Sequence, residues 1–202
     1  ISQQKSVIFY PYFVIAPLII FRWTKQLWVL PLSLVLLVGF FAALSSVTDE
    51  ILFVSLFVRR ALFLPAYLIF RYYDFFSSHE FVWWSNSFLG FLMHYPYELP
   101  PAQMIGISLG GHANANNTFL ATGYIHAGTL GLAIYCFVVA FILKIVDAIA
   151  RSRVSSEIAI ALTIVPMIAL FTSSDLPTAL ITHGLLFSIL VLMAAPSLLS
   201  DA

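Results

Sequence analysis

Long apolar runs separated by short polar joints dominate this chain. Five runs stand out, at residues 7–21, 27–46, 118–146, 157–173 and 179–196. A helix needs about 20 mostly apolar residues to cross a bilayer, within a range of about 17–25. Each run nears that length once its uncharged flanks are counted, and the run at 7–21, interrupted by Pro11 and Pro17, is the weakest. The pattern predicts an all-α fold, a polytopic transmembrane helix bundle forming one integral membrane domain over residues 1–202. A sixth apolar stretch, 51–70, carries Arg59-Arg60 at its middle and Pro65 soon after. Arginines at mid-bilayer cost a few kcal/mol each. The parity of crossings bears on the same stretch. If 51–70 does not span, Arg22 and Lys25 share a side with Lys144, Arg151 and Arg153, and Asp49, Glu50 and Asp175 face the other side. That arrangement satisfies the positive-inside rule, and a spanning 51–70 breaks it. We therefore read 51–70 as re-entrant or interfacial, and about 47–117 as an extracytoplasmic cap.

Composition agrees with the pattern. Hydrophobic residues make up 61% of the chain and charged residues 9%, against about 25% charged in soluble domains. Mean hydropathy is +1.00. A formal net charge of zero argues against a nucleic-acid partner. The single cysteine, Cys136, excludes an intrachain disulfide. No Cys/His spacing and no Asp-x-Asp pattern points to a metal, so neither metal nor cofactor is expected.

The candidate chemistry gathers in the cap and just after it. Tyr72, Tyr73, Trp83 and Trp84 suit the membrane–water interface. Residues 110–124 hold His112 and three asparagines, Asn114, Asn116 and Asn117, ahead of a long apolar run. Asn116 or Asn117 is placed to cap the following helix. Gly123, Ala127 and Gly131 form a small-residue stripe that predicts close approach of another helix. His126 and His183 are expected to hydrogen-bond to neighbouring helices.

Several blocks in one order carry a resemblance. They are Arg59-Arg60-Ala61-Leu62-Phe63-Leu64-Pro65-Ala66, then Tyr72-Tyr73-Asp74-Phe75-Phe76-Ser77, then Ile105-Gly106. Asn114-Ala115-Asn116-Asn117-Thr118-Phe119-Leu120-Ala121-Thr122-Gly123-Tyr124 and Gly128-Thr129-Leu130-Gly131-Leu132-Ala133-Ile134-Tyr135 follow. The series resembles the Wzy-type oligosaccharide repeat-unit polymerases of bacterial surface polysaccharide, relatives of the O-antigen ligases. It covers about Arg59 to Asp147, with a further likeness from Ser173 to Gly184. Those polymerases usually have ten or more spans, so five make this chain similar to the C-terminal half of one. The ligases carry a His-x-His-Asn type motif, where this chain has one histidine in His112-Ala113-Asn114-Ala115-Asn116-Asn117. That favours a polymerase.

The resemblance implies glycosyl transfer at the outer face of the bacterial inner membrane. A glycan on undecaprenyl pyrophosphate is passed to a second lipid-linked repeat unit, with the bilayer and a chain-length regulator as further partners. Pyrophosphate leaving as an anion needs cations, for which Arg59 and Arg60 are the candidates and Arg71 a further one. The competing reading has these arginines snorkelling to headgroups or pairing with Asp49, Glu50 or Asp74. The acceptor hydroxyl needs a base. His112 and Asp74 lead, with His79, Glu80 and Glu98 behind; a salt bridge from Arg71 to Asp74 competes for the latter. Tyr72, Tyr73, His79, Asn114, Asn116, Asn117 and Tyr124 are candidate substrate contacts. An O-antigen ligase, a lipid-linked oligosaccharide transporter and a structural membrane subunit are the alternatives.

Overall fold

The computed structural model describes residues 10–24, 26, 28–48, 59, 63–87, 90–111 and 114–195. The regular elements within them are helices, with no strand among the described residues. In chain order they are α1 (Tyr10–Trp23), α2 (Val29–Thr48), α3 (Leu64–Phe76), α4 (Pro101–Ser108), α5 (Phe119–Ser152), α6 (Ser156–Thr172), α7 (Leu176–Ile181) and α8 (Leu185–Ala194). The protein is all-α, as the sequence predicts.

Apolar positions recur about once per turn along α5, at Tyr135, Val139, Ile142 and Ile149. They bury a stripe against Ala159 and Leu170 of α6, Leu176 and Ala179 of α7, and Leu185, Ile189 and Leu192 of α8. Helix α1 closes the bundle against α6. Side chains tie the ends. The Arg153 guanidinium donates to the Met193 carbonyl at 3.0 Å, and the Ser188 hydroxyl to the Leu162 carbonyl at 2.9 Å. Helix hydroxyls turn back onto their own backbone, Thr48 to the Leu44 carbonyl at 2.8 Å and Thr163 to that of Ala159 at 2.7 Å. This keeps them satisfied without water.

The outer surface is apolar. Phe137 on α5 is 74% exposed and Phe187 on α8 is 70% exposed, so these large rings face away from the bundle. Helices α2, through Pro31–Thr48, and α5 are long and apolar enough to cross a membrane. Helices α6 and α8 are apolar but shorter.

Two of the expected single spans are broken. The run at 179–196 falls on α7 and α8, which part at 182–184, where Gly184 takes φ +79°. Asp175 caps α7 by accepting from the Thr178 N–H at 2.9 Å, so a fresh helix starts before Pro177. Helix α5 outruns its expected end at 146 and is interrupted inside. Ala127 (φ −153°, ψ 32°) and Gly128 (φ +61°, ψ −140°) leave helical geometry. Beyond that break, residues 129–152 alone rise about 36 Å, more than a bilayer core of about 30 Å. Most of 51–70, including Arg60, lies outside the described residues. Its described end, from Leu64, runs on as α3 to Phe76.

Candidate functional site

The cap is built on α3. Leu68, Tyr72 and Phe76 fall four apart on one face and are buried against Val82, Ile105 of α4, and Ala115, Ala121 and Ile125. Tyr72 is fully buried, and its hydroxyl donates to the Ala115 carbonyl at 2.8 Å. The Tyr97 ring stands edge-on to Phe76 at 5.9 Å, and its hydroxyl donates to the Glu80 carbonyl at 2.5 Å. Burial, and then Tyr95 nearby, drives the Tyr72 phenol far above its ordinary value of 10. Burial, and then Tyr97, pushes Tyr95 up to about 12. Burial, and then Glu80, raises Tyr97. Three phenols therefore stay neutral in one aromatic cluster.

Residues 114–118 lead from this cluster into α5. The residue that enters the helix is Thr118, with φ −90° and ψ 167°. This corrects the expectation that Asn116 or Asn117 caps it. The Thr118 side chain makes no capping hydrogen bond. Asn117 instead accepts from the Thr122 hydroxyl at 3.2 Å, and the Thr118 hydroxyl is buried with no partner among the described residues. Phe119 joins the bundle core, while Ala121 and Ile125 join the cap core. The first turns of α5 are thus the joint between the two.

The break in α5 completes this joint. Val82 and Trp83 donate their N–H groups to the carbonyls of Ile125 (2.8 Å) and His126 (3.1 Å). A continuous helix would direct those carbonyls at Thr129 and Leu130. The Trp84 N–H donates to Nδ1 of buried His126 at 3.1 Å, which leaves the neutral ring's proton on Nε2. The indole lies over that imidazole at 4.8 Å and donates to the Tyr135 hydroxyl at 3.2 Å. His126 is thus held by the cap rather than by a neighbouring helix. Trp83 (φ +50°) and Trp84 (φ +59°) hold positive φ in a tight turn closed by the Ser85 N–H on the Val82 carbonyl at 3.0 Å. Left-handed backbone at non-glycine residues costs about 1–3 kcal/mol each.

The small-residue stripe also works differently from the expectation. A Cβ on Gly131 would run into the carbonyl oxygen of Gly123, and one on Gly123 would meet the Gly131 carbonyl at 3.0 Å. Residues eight apart in a straight helix are separated by about 12 Å along the axis. The stripe therefore lets α5 fold onto itself, half against half. A Cβ on Gly128 would meet the Phe81 ring at 3.0 Å, so cap and corner fit closely.

The structure brings together Tyr72, Tyr73, Asn114, Asn116, Asn117 and Tyr124 around the start of α5. Tyr73 is half exposed, with its ring 4.8 Å from that of Tyr124. Asn114 is exposed, and Asn116 and Asn117 are half-buried. Tyr72 is a structural pin with no face left for a sugar. Arg71 is exposed, with Asp74 at 4.0 Å and the Tyr67 hydroxyl at 3.0 Å from its Nε. Asp74 lies in solvent rather than buried among the rings. His79 is exposed, stacked on Phe75 at 4.0 Å, with Nδ1 2.7 Å from the Phe75 carbonyl oxygen. His183 is exposed. Arg59 is exposed, and Arg60 and His112 lie outside the described residues.

Sequence reasoning did not find the joint of Trp84, His126 and Tyr135, nor the lone Thr118 hydroxyl. Gly128, one residue before Thr129 in the apolar run, was the available signal for the corner. An open cleft of about 410 Å³ lies beside the joint, lined by Ser85, Asn86, Ser87, Tyr95, Glu98 and Pro100. Among the described residues no three His, Cys, Asp or Glu side chains gather to hold a metal. Comparison with models of protein families, with curated proteins and with solved structures gives no match.

Proposed function

We infer that this protein is a multi-pass membrane glycosyltransferase of the bacterial inner membrane. It extends surface polysaccharide by joining oligosaccharide repeat units carried on undecaprenyl pyrophosphate. The chain corresponds to the C-terminal portion of such a polymerase. The observation that carries this reading is the meeting of two blocks of the resemblance more than 40 residues apart. The Tyr72 hydroxyl holds the Ala115 carbonyl, and Tyr73 lies against Tyr124. The apolar exterior and the two helices of spanning length support the membrane setting.

In the reaction an acceptor hydroxyl attacks the anomeric carbon of the donor sugar. The bond from that carbon to the pyrophosphate oxygen breaks, and the hydroxyl proton passes to a base. Polyprenyl pyrophosphate departs with the bonding pair. Arg59, Arg60 and Arg71 would offset its charge, since guanidinium stays protonated and grips phosphate in two-point fashion. His112 would take the proton, and Asn114, Asn116 and Asn117 would hold sugar hydroxyls, each amide both donating and accepting.

The test is the length of surface polysaccharide in cells that carry Arg60→Ala, with membrane abundance of the protein followed in parallel. Long chains collapsing to single repeat units at normal abundance support the reading. Loss of all transferred glycan points to a ligase instead. Unchanged chain length at normal abundance removes Arg60 from the reaction.

A further inference from the structure

We propose that the N-terminal end of the half-helix 119–126 is an anion site that takes a phosphate group. Resting on the polymerase reading above, the phosphate is one of those in the polyprenyl pyrophosphate carrier. The backbone N–H groups of Phe119, Leu120 and Ala121 form the first turn, and no side chain among the described residues caps them. A threonine in the capping position usually turns its hydroxyl onto this turn. Thr118 does not. It is 1% exposed, and its Oγ1 has no hydrogen-bond partner among the described residues. The hydroxyl is therefore a fourth donor at the same helix end. The Thr122 hydroxyl lies 3.2 Å from both the Asn117 amide oxygen and the Thr118 carbonyl, which holds the Asn117 amide beside the same helix end.

A helix end lined by three backbone N–H donors and an unpaired hydroxyl selects a ligand rich in acceptors. A sugar hydroxyl needs both kinds of partner, and one water accepts from only two donors. A phosphate offers three or four oxygens with negative charge, which the positive end of the helix dipole also favours. The Thr118 hydroxyl is shut off from solvent, so a phosphate oxygen reaches it as the Asn114–Asn117 segment yields.

The test uses the purified full chain in detergent at constant ionic strength. Inorganic pyrophosphate is titrated against wild type, Thr118→Val and Thr118→Ser, with chloride as the control anion. Melting temperature and direct calorimetry are the readouts. Pyrophosphate should raise the melting temperature of wild type and Thr118→Ser. Thr118→Val should bind about tenfold more weakly, the loss of one hydrogen bond to a charged group. Without ligand, Thr118→Val should melt no lower than wild type, because the hydroxyl it removes is unpaired. Equal pyrophosphate affinity in wild type and Thr118→Val overturns the site. So does a lower melting temperature of ligand-free Thr118→Val, which means the hydroxyl already has a partner. Displacement of pyrophosphate by polyprenyl pyrophosphate, and not by phosphatidylglycerol, supports the carrier as source. Equal displacement by both overturns that assignment and leaves a phosphate-headgroup site. Binding does not require turnover, so pyrophosphate binding in a protein that polymerises nothing keeps the site and removes the polymerase.

Discussion

The two halves of α5 belong to one apolar run and live in different surroundings. Before the corner, Phe119, Ala121, Thr122, Gly123, Ile125 and His126 are all buried, and only the side held by Leu120 and Tyr124 is partly exposed. After it, Gly131, Tyr135, Val139, Ile142 and Ile149 are buried, a single stripe, and Phe137 and Phe141 point outward. The second half is an ordinary bundle helix with an apolar exterior. The first is enclosed by cap and bundle together, and it carries the polar side chains Thr122 and His126 in that enclosure. Enclosure on all sides but one, with polar groups inside, marks a place built for geometry rather than for packing alone.

The contrast can be broken most sharply at Gly131. Gly131→Ala places a methyl group against the Gly123 carbonyl, backbone that cannot step aside. It should cost about 3 kcal/mol or more, read as a fall in melting temperature and in folded yield. Wild-type stability would show that the halves do not touch. Tyr72→Phe comes next. It leaves the Ala115 carbonyl without its donor and should cost about 1–2 kcal/mol by thermal unfolding in detergent. A neutral result would detach the cap from residues 114–118.

Alkaline titration sharpens the same point. The cluster phenols are neutral in the fold and lie above their unfolded value of 10, with Tyr95 at about 12. Their stabilising contribution is therefore complete below pH 10 and is lost as pH rises towards 12. Tyrosinate absorbance should lag behind that of the unfolded chain across this window, with loss of near-ultraviolet ellipticity at its upper end. Ionisation at pH 10 with the fold intact would place these rings in water. The smallest effect is expected at Gly39 in α2, where an added Cβ meets nothing within 4 Å. Gly39→Ala should be neutral or stabilise by up to about 1 kcal/mol, because glycine inside a helix is costly to order.

The helices α1, α2 and α6 were legible because length and apolarity alone define them. The break in α5 was not, because Gly128 sits in a run with no charge and no proline to mark it. The stripe of Gly123, Ala127 and Gly131 was seen, but spacing cannot say whether the close neighbour is another helix or the same one. Residues 114–118 were recognisable as a polar island in apolar sequence, and they do lie where cap meets bundle. Which of them caps the helix depends on backbone dihedrals that side-chain type only biases. The fully buried Tyr72 shows the same limit from the other side. A tyrosine near an interface reads as a surface ring until its hydroxyl is seen to hold a carbonyl 43 positions away.

The amide bonds from Val82 and Trp83 to Ile125 and His126 have a consequence for anyone who would exchange parts. Cap segments and membrane segments are commonly treated as modules to be grafted between relatives. Here the graft boundary would run through a shared backbone ladder. A chimaera that imports residues 81–85 without residues 119–135 would leave two carbonyls unclaimed inside an apolar body. The two segments form one hereditary unit, and a viable hybrid would have to carry both.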